Sequence, residues 1–458
     1  MKYTLTILEA VYQQMLDHAA AGDGKEMAGY LFTAQSESDG EIRYIGREFR
    51  RIPVAELLGQ SETHLSIPSD SYCKAVQHAD KTSQGFWFVH SHPTGFSGFS
   101  EQDNREEPAL FQMAYVRAAC GYHHGSLILP MNNPPIGRVW FEDGTHERLS
   151  RIRVIGNRFR FYDQTPTVAL DLSPYDRQIR AFGPEIQQAL ATMHVAIVGA
   201  GGTGSSIAEQ LIRLGVGEIS VFDYDTFEVS NANRVYGSTI GDEGILKTSL
   251  VQRTAERIGL GTKINSISES IYYSDVAQKL KTADVIFGCT DEDATRSILG
   301  RVALYYAIPV IDMGVMLDSQ DGIISSVAGR VTVLLPGAAC LYCRGRISAE
   351  RAAHDMTRFF DPDGADELEE EGYAPELKIT NPAVIPFTTS VAAGAVSEFL
   401  HRLTGFMGPD RRSTEVIFRF DQNEMGANTI APNAVCDCSS TQKIGRGDSN
   451  PYLGIVLP

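Results

Sequence analysis

The chain has 458 residues, enough for two or three domains, and 43% of them are hydrophobic, enough for packed cores. Its formal net charge of −17 argues against nucleic acid as a main partner, because phosphate binding requires basic patches. The amino terminus carries Glu9 in its apolar stretch and lacks the basic flank of a secretory signal, and no apolar run approaches a membrane span. We therefore expect a soluble, cytoplasmic protein without membrane contact.

A histidine motif lies in the run FWFVHSHPTGFSGFSEQD, residues 86–103. The aromatic start predicts a strand, and side chains at i and i+2 of a strand share a face, so His90 and His92 can hold one metal ion. If Ser100 caps the helix that follows, Asp103 lies in its first turn and can supply a third, oxygen ligand. This ligand set leaves a fourth position on zinc for water, as in catalytic sites. The alternative is a pair of ordinary strand histidines beside a simple helix cap.

This spacing resembles the JAMM motif of the JAB/MPN metalloproteases, which cut peptide or isopeptide bonds after ubiquitin-like proteins. In that family a glutamate from an early strand is the general base, and Glu26, in the run EMAGYLF, fits that place. Ser100 fits the family's oxyanion-stabilising serine. The resemblance implies an amino-terminal α-β-α domain with a catalytic zinc. The zinc ligands that it implies are His90, His92 and Asp103.

A domain boundary is predicted near Gln164. The segment RIRVIGNRFRFYDQTPTVALDLSP alternates apolar and basic residues, which indicates a closing strand, and then breaks at prolines. We therefore expect one domain over residues 1–164 and a second over residues 165–458.

The second domain contains a glycine-rich run, HVAIVGAGGTGSSIAEQLIRLG, residues 194–215. Its pattern predicts a buried strand, a tight turn and an amphipathic helix that together bind a nucleotide. Asp223 follows near the end of the next strand, where a ribose-binding acid belongs. Taken alone, this motif would suit an NAD-linked dehydrogenase equally well, since it predicts only phosphates at a helix amino terminus. The glycines expected at the nucleotide are Gly199, Gly201, Gly202 and Gly204.

The sequence downstream separates these two readings. The runs DYDTFEVSNANR (223–234) and CTDEDATR (289–296) flank Lys247 in an order that resembles the ThiF/MoeB and ubiquitin-activating family. The resemblance implies ATP as the nucleotide, with Asp223 as the ribose ligand and Asp291 as the magnesium ligand. The implied contacts to the ATP phosphates are Asn231, Arg234 and Lys247.

The run YDRQIRAFG, residues 175–183, resembles the opening segment of the same family. The family's arginine in this segment, here Arg177, reaches into the ATP site of the partner protomer, so the resemblance implies a homodimer. Two cations and magnesium would offset the triphosphate charge while an acyl oxygen attacks the α-phosphate. The alternative is that Arg234 and Lys247 are solvated surface charges.

Four of the seven cysteines form two close pairs, which indicates metal binding in a reducing compartment rather than disulfides. The family that the second domain resembles keeps a four-cysteine structural zinc, usually with Cys-x-x-Cys in both halves. Here the second pair is Cys-x-Cys, and the alternative is free or redox-active thiols. The implied zinc ligands are Cys340, Cys343, Cys436 and Cys438. The other cysteines, Cys73, Cys120 and Cys289, are expected to be small core residues.

Residues 344–435 contain no cysteine, although many ubiquitin-activating relatives carry a nucleophilic cysteine in this stretch. The thioester step of those relatives is therefore in question. The stretch instead includes an acidic run, residues 361–376, which we expect to be a mobile loop over the adenylate site or a plain solvated linker.

The expected fold class is α/β, with a JAB/MPN α-β-α domain followed by a Rossmann-like, doubly wound ThiF-type domain with a four-cysteine zinc site. Both families act on the carboxyl-terminal tail of a ubiquitin-like protein, so we expect a bifunctional enzyme that processes this tail and activates it with ATP and magnesium. Bacterial antiviral defence is one setting that the resemblance suggests, with a conjugating enzyme as a further partner. The alternative is processing and activation of a sulfur-carrier protein in cofactor or siderophore biosynthesis. A non-catalytic scaffold is disfavoured because both sets of site residues are complete.

Overall fold

The computed structural model describes residues 1–118, 121–164, 171–370, 383–408 and 411–458, without the side chains of residues 368 and 370. The chain divides into two compact units. The first comprises the described residues among Met1–Thr167, together with Tyr305–Ala307 and Ile444–Ser449, and the second comprises the others. The predicted domain boundary at residues 164 and 165 adjoins a range outside the described residues and stays a prediction.

The first unit consists of eleven strands and three helices among its described residues. The strands are β1 (Lys2–Leu8), β2 (Ala28–Ser38), β3 (Glu41–Arg51), β4 (Gly59–Gln60), β5 (Leu65–Ser66), β6 (Gly85–His92), β7 (His124–Pro130), β8 (Ile136–Trp140), β9 (His146–Arg148), β10 (Arg151–Ile155) and β11 (Phe159–Asp163). The helices are α1 (Glu9–Ala20), α2 (Ser69–Thr82) and α3 (Glu101–Arg117). Nine strands form a mixed sheet in the order β11-β10-β1-β3-β2-β6-β7-β8-β9, and β4 and β5 form a separate hairpin.

Strand β6 shows how the sequence assigns the two faces of this sheet. Phe86 and Phe88 pack in the core that also contains residues of α2 and α3, whereas Trp87 packs in the core that contains residues of α1. The sheet therefore lies between helices, and the predicted α-β-α arrangement is confirmed. Because side chains alternate along a strand, His90 and His92 continue the face of Phe86 and Phe88, which is the face that α3 covers.

The second unit consists of eight strands and nine helices among its described residues, except that the last two residues of α9 fall in the first unit. The strands are β12 (His194–Val198), β13 (Glu218–Phe222), β14 (Lys263–Ile267), β15 (Val285–Gly288), β16 (Val310–Gln320), β17 (Ile323–Leu334), β18 (Glu415–Arg419) and β19 (Glu424–Asn428). The helices are α4 (Asp176–Phe182), α5 (Pro184–Thr192), α6 (Gly202–Leu214), α7 (Lys247–Ile258), α8 (Ser274–Gln278), α9 (Asp293–Tyr306), α10 (Ala349–Phe360), α11 (Pro362–Glu370) and α12 (Ile385–Thr404).

The strands of the second unit form one sheet in the order β14-β13-β12-β15-β16-β17-β18-β19. Neighbouring strands are parallel in the first part of this order, β14-β13-β12-β15-β16. The last three strands, β17, β18 and β19, are each antiparallel to the strand before them. From β12 the chain proceeds to β13 and β14 on one side and returns to β15 on the other. This reversal opens a crevice at the carboxyl ends of β12 and β15, where nucleotides bind in such sheets. The predicted Rossmann-like fold is confirmed.

The acidic run 361–376 is helical in its first part, where α11 packs beside α10. Arg358 on α10 donates hydrogen bonds to Asp366 at 2.7 Å and to Glu369 at 2.5 Å. The loop prediction was wrong for this part, because ion pairs with a neighbouring helix stabilise α11 where the sequence offers little apolar periodicity. The remainder of the run, residues 371–376, lies outside the described residues.

None of the helices in the described ranges combines the length and the apolar character that a membrane crossing requires.

Candidate functional sites

The three predicted zinc ligands of the first unit converge on one point. His90 Nε2 lies 3.1 Å from His92 Nε2 and 3.2 Å from Asp103 Oδ1, and His92 Nε2 lies 3.8 Å from Asp103 Oδ2. Two ligand atoms on a tetrahedral zinc ion stand about 3.4 Å apart, given zinc to nitrogen or oxygen distances of about 2.1 Å. The donor atoms of this group, which we call the histidine cluster, therefore fit a shared zinc ion.

The helix start brings Asp103 to the histidines. Ser100 caps α3, because its Oγ accepts the Asp103 N–H at 3.1 Å while Asp103 Oδ2 accepts the Ser100 N–H at 2.6 Å. Burial by itself would raise the pKa of Asp103, but hydrogen bonds from His90 and Ser100 hold that pKa well below its usual range. Asp103 is therefore the ionised carboxylate that a metal ligand must be.

Neighbouring groups fix both imidazole rings. The His92 Nδ1–H donates to the carbonyl oxygen of Phe96 at 3.0 Å, which leaves Nε2 as the ligating nitrogen. The His90 ring stacks on Phe88, with ring centroids 5.1 Å apart. Both histidines are buried. The protein itself therefore orients both predicted ligands.

Glu26 lies two residues before β2 begins rather than within the strand, and only 8% of it is exposed. The next residue, Met27, exchanges two hydrogen bonds with Ser91, each 2.9 Å long, which fastens this segment to β6 between the two histidines. Burial raises the pKa of Glu26 to about 7, a value suited to a general base near neutral pH. A cavity of about 460 Å³ is lined by Glu26, His90, Ser100 and Asp103 together with apolar side chains.

The sequence analysis missed Glu107, one helical turn after Asp103 on α3. Glu107 is 2% exposed and lines the same cavity. Its Oε2 accepts hydrogen bonds from Ser126 Oγ at 2.6 Å, Trp140 Nε1 at 2.9 Å and Arg138 Nε at 3.0 Å. The i, i+4 spacing from Asp103 is the signal that could have found it, because such residues share a helix face.

In the second unit, the glycine-rich turn joins β12 to the amino terminus of α6. Gly199 has φ +93°, a conformation that L side chains rarely adopt, and Gly201 is the N-cap of α6. A Cβ at Gly204 would lie 1.8 Å from the Gly199 carbonyl oxygen, so the helix can approach the strand only with glycine there. The exposed N–H groups of the first turn of α6 can hold phosphate.

A cavity of about 380 Å³ lies at this turn, at the crevice between β12 and β15. The predicted nucleotide residues that line it are Gly199, Gly201, Gly202, Asp223, Arg234, Lys247 and Asp291. Gly204, Asn231 and Arg177 do not line it.

The charged residues of the cavity have partners within the chain. Asp223 accepts the Ala200 N–H at 2.6 Å, and burial raises its pKa. Lys247 Nζ lies 2.7 Å from Asp225 Oδ2, and Arg234 donates to a backbone carbonyl oxygen at 2.8 Å. A nucleotide would have to compete with these contacts for the two cations.

Asn231 is buried, and its side chain forms a local hydrogen bond within the turn that contains it, in which Oδ1 accepts the Glu228 N–H at 3.4 Å. Its role as a phosphate contact stays a prediction. Arg177 is exposed on α4 and is not among the residues that line the cavity. Since its expected target is the site of a partner protomer, that role also stays a prediction.

The structure adds Arg296, Glu292 and Tyr224 to the cavity wall. Arg296 donates to the backbone oxygen of Asp291 at 3.1 Å, and its Nε lies 3.4 Å from Asp312. Glu292 accepts a hydrogen bond from the Tyr224 hydroxyl at 3.3 Å. Arg296 and Glu292 both stand in the CTDEDATR run, so the motif itself could have indicated them.

The four predicted cysteine ligands form a second cluster. Cys340 Sγ lies 3.8 Å from Cys343 Sγ and 3.6 Å from Cys436 Sγ, and Cys343 Sγ lies 3.6 Å from Cys438 Sγ. Thiolates on a tetrahedral zinc ion at about 2.3 Å stand about 3.8 Å apart, so this four-cysteine cluster fits a closed site despite the short Cys-x-Cys spacing. The Asn433 N–H also donates to Cys343 Sγ at 3.3 Å.

The core prediction was wrong for two of the remaining cysteines. Cys73 and Cys289 are only partly buried. Cys73 lines the cavity at the histidine cluster, and Cys289 lines the cavity at the glycine-rich turn. Cys120 lies outside the described residues.

Two family models match the chain. Residues 175–440, more than half of the chain, match the model of the ThiF family. The chain belongs to the ThiF family. Residues 8–129 match a second family model, described as prokaryotic homologs of the JAB domain. The predicted fusion of a JAB-type domain with a ThiF-type domain is confirmed.

Three curated relatives illustrate this membership. The SAMP-activating enzyme E1 of Haloferax volcanii is 29% identical over 182 residues, which are 39% of this chain and 64% of the relative. The ubiquitin-like modifier-activating enzyme 5 of Dictyostelium discoideum is 27% identical over 190 residues, 38% of this chain and 48% of the relative. The molybdopterin-synthase adenylyltransferase of Escherichia coli is 28% identical over 182 residues, 39% of this chain and 70% of the relative. The chain thus spans less than two thirds of the length of the first two relatives.

Proposed function

We propose that the chain is a bifunctional enzyme that processes the carboxyl-terminal tail of a ubiquitin-like protein and activates the resulting glycine carboxylate with ATP. The observation that carries this proposal is the presence of two residue groups in one chain. One is the histidine cluster with Glu26, and the other is the cavity at the glycine-rich turn with Arg234 and Lys247, which we call the ThiF cavity. Hydrolysis frees a carboxylate, and adenylation consumes one. The product of the first site is therefore the substrate class of the second.

For hydrolysis, the zinc ligands would be His90, His92 and Asp103. A zinc ion there would supply Lewis acidity and lower the pKa of water for attack on an amide. Glu26, buried beside the cluster, would accept a proton from the attacking water and return it to the leaving amine. The Ser100 hydroxyl accepts the Asp103 N–H, so its own proton is free for donation to the oxyanion.

For adenylation, the terminal carboxylate would attack the α-phosphorus of ATP, forming an acyl adenylate as pyrophosphate leaves. The amino terminus of α6 would bind the phosphates, and Asp223, which lines the same cavity, would bind the ribose. Arg234 and Lys247 would offset the negative charge that develops on the triphosphate. Asp291 would hold magnesium, which would neutralise further charge on the phosphates.

The acyl adenylate would pass to an external acceptor. Residues 344–435 supply no thiol, and the thiolates of the four-cysteine cluster would be poor nucleophiles once bound to zinc. Cys289 lines the ThiF cavity, but its surroundings raise the pKa of its thiol, so the thiol stays protonated and is a poor nucleophile as well. The absence of a thiol from residues 344–435 favours the second candidate function, activation of a sulfur-carrier protein, in which the adenylate meets sulfide or a persulfide. The relative named molybdopterin-synthase adenylyltransferase supports this alternative, and those named SAMP-activating enzyme E1 and ubiquitin-like modifier-activating enzyme 5 support the first.

The deciding experiment incubates the full chain with ATP and a candidate small protein that ends in glycine. We expect exchange of labelled pyrophosphate into ATP that depends on the terminal glycine. Non-reducing gels should show no thiol-linked adduct on this chain, and a covalent adduct lost in only one Cys→Ser variant would contradict an external acceptor.

The homodimer can be tested by complementation. If Arg177 acts in the partner's site, mixing Arg177→Ala and Asp291→Ala proteins in equal amounts should restore about a quarter of the wild-type rate, because half of the dimers rebuild one of two sites. A mixture no more active than either variant would contradict a site shared between protomers.

A further inference from the structure

Two buried polar atoms at the histidine cluster lack partners in the part of the chain that the structure describes. These atoms are Nδ1 of His90 and Oε1 of Glu107. Buried polar atoms almost always form hydrogen bonds with protein or ordered water, so each requires an explanation. Both residues line the same cavity, and their charges interact.

The two atoms are chemically complementary. When His90 binds a metal through Nε2, its Nδ1 carries a proton and needs an acceptor, as metal-ligating histidines do. Glu107 Oε1 is an acceptor. The other oxygen of this carboxylate holds three donors, including the buried guanidinium of Arg138. Burial raises the pKa of Glu107, and Arg138 opposes that rise by favouring the ionised form.

The surroundings of Glu107 prevent its carboxylate from turning away. Arg138 also donates to Asn104 at 2.7 Å, and its guanidinium lies 3.8 Å from the centre of the Phe99 ring. Arg138 itself is 2% exposed. One oxygen of the Glu107 carboxylate is thus held by three donors, whereas the other has no partner among the described residues.

We propose that Glu107 is a positioning residue for the zinc site, which accepts the Nδ1 proton of His90 through one bridging water. This inference rests on the proposed zinc site. The Nδ1–H of His92 already has an acceptor, the carbonyl oxygen of Phe96. Glu107 would supply the corresponding acceptor for the Nδ1–H of His90. The bridge keeps His90 in the tautomer that presents Nε2 to the metal and raises the basicity of that nitrogen.

The first test measures zinc affinity on the full chain by competition with a chelator, without any substrate. Glu107→Gln should lower the affinity of the histidine cluster by about 10-fold to 100-fold. The matched control is Ser126→Ala, which removes a donor to Oε2 but leaves Oε1, and it should change the affinity by less than about threefold. Cobalt bound to thiolates absorbs through sulfur-to-metal charge transfer, so the four-cysteine cluster can be followed separately.

Wild-type zinc affinity in Glu107→Gln, or an equal loss in Ser126→Ala, would overturn the inference.

The second test requires no variant. In zinc-loaded wild-type protein with ¹⁵N-labelled histidine, His90 should show a proton on Nδ1, and a deprotonated Nδ1 would also overturn the inference. If zinc binds as expected but no ubiquitin-like substrate is cut, the proposed hydrolysis fails while this inference stands.

Discussion

The histidine cluster and the ThiF cavity hold their charged groups in different ways. In the cluster, His90, His92 and Asp103 face one another, with donor atoms 3.1 to 3.8 Å apart, and hydrogen bonds fix their orientation. In the cavity, Lys247 pairs with Asp225, and Arg234 donates to a backbone oxygen. The first site is preorganised for one small ion. The second must exchange internal contacts for a large anion, so loss of one of those internal contacts should have little effect.

The largest effect should come from Glu26→Gln. Loss of the general base should lower hydrolysis of a tail-extended ubiquitin-like protein by about two to four orders of magnitude, with zinc retained. Glu101→Gln, on the exposed first turn of α3, is the matched control and should cut at the wild-type rate. The rate is measured by mass spectrometry of the released tail, and equal rates in Glu26→Gln and wild type would refute the assignment of the base.

Asp291→Ala should lower pyrophosphate exchange by about two to three orders of magnitude, a loss typical of one electrostatic contact to a transition state. Hydrolysis of the tail should be unchanged, because the two reactions use separate residues. Asp275→Ala, exposed on α8, supplies the control. Exchange at the wild-type rate in Asp291→Ala would exclude Asp291 as the magnesium ligand.

Cys436→Ser should reduce the bound zinc from two ions per chain to one and lower the melting temperature by several degrees, because a closed zinc site contributes to folding. Pyrophosphate exchange below the melting transition should continue. Elemental analysis and calorimetry provide the measurement, with Asp275→Ala, exposed on α8, as a control outside both predicted zinc sites. Two zinc ions in Cys436→Ser would contradict the four-cysteine site.

The smallest effect should come from Asp225→Asn, which releases Lys247 from its ion pair. Exposed ion pairs contribute up to about 1 kcal/mol, so the KM for ATP should shift by less than about fivefold. Asp225 is half exposed, which fits this small value. A shift of a hundredfold would mean that Asp225 itself contacts the nucleotide, and the contrast between the two sites would then fail.

The sequence could predict features that depend on local periodicity. The alternation along β6 and the cap at Ser100 bring together the ligands of the histidine cluster, and the glycine spacing places the turn before α6. Glu107 escaped prediction because its importance depends on strands β7 and β8, which supply its three donors from distant parts of the sequence. Helix α11 escaped for a similar reason, since its ion pairs with α10 are tertiary contacts.

Asn231 shows what a family motif leaves unpredicted. A family motif assigns a residue to a ligand, but the unliganded side chain bonds within its own turn. Motif spacing therefore predicts which residues can reach a nucleotide, whereas it does not predict the contacts they make before the nucleotide arrives.

A zinc ion in the four-cysteine cluster would also restrict the conformations of the unfolded chain. Cys343 and Cys438 are 95 positions apart, so a zinc ion bridging them would close a ring that contains α10, α11, α12, β18 and β19. Closing a ring of about a hundred residues removes chain entropy worth about 4 to 5 kcal/mol from the unfolded ensemble, by analogy with a disulfide. Unlike a disulfide, this link can be opened by a chelator without a reductant. The dimensions of the unfolded chain would then depend on whether zinc is bound to the four cysteines.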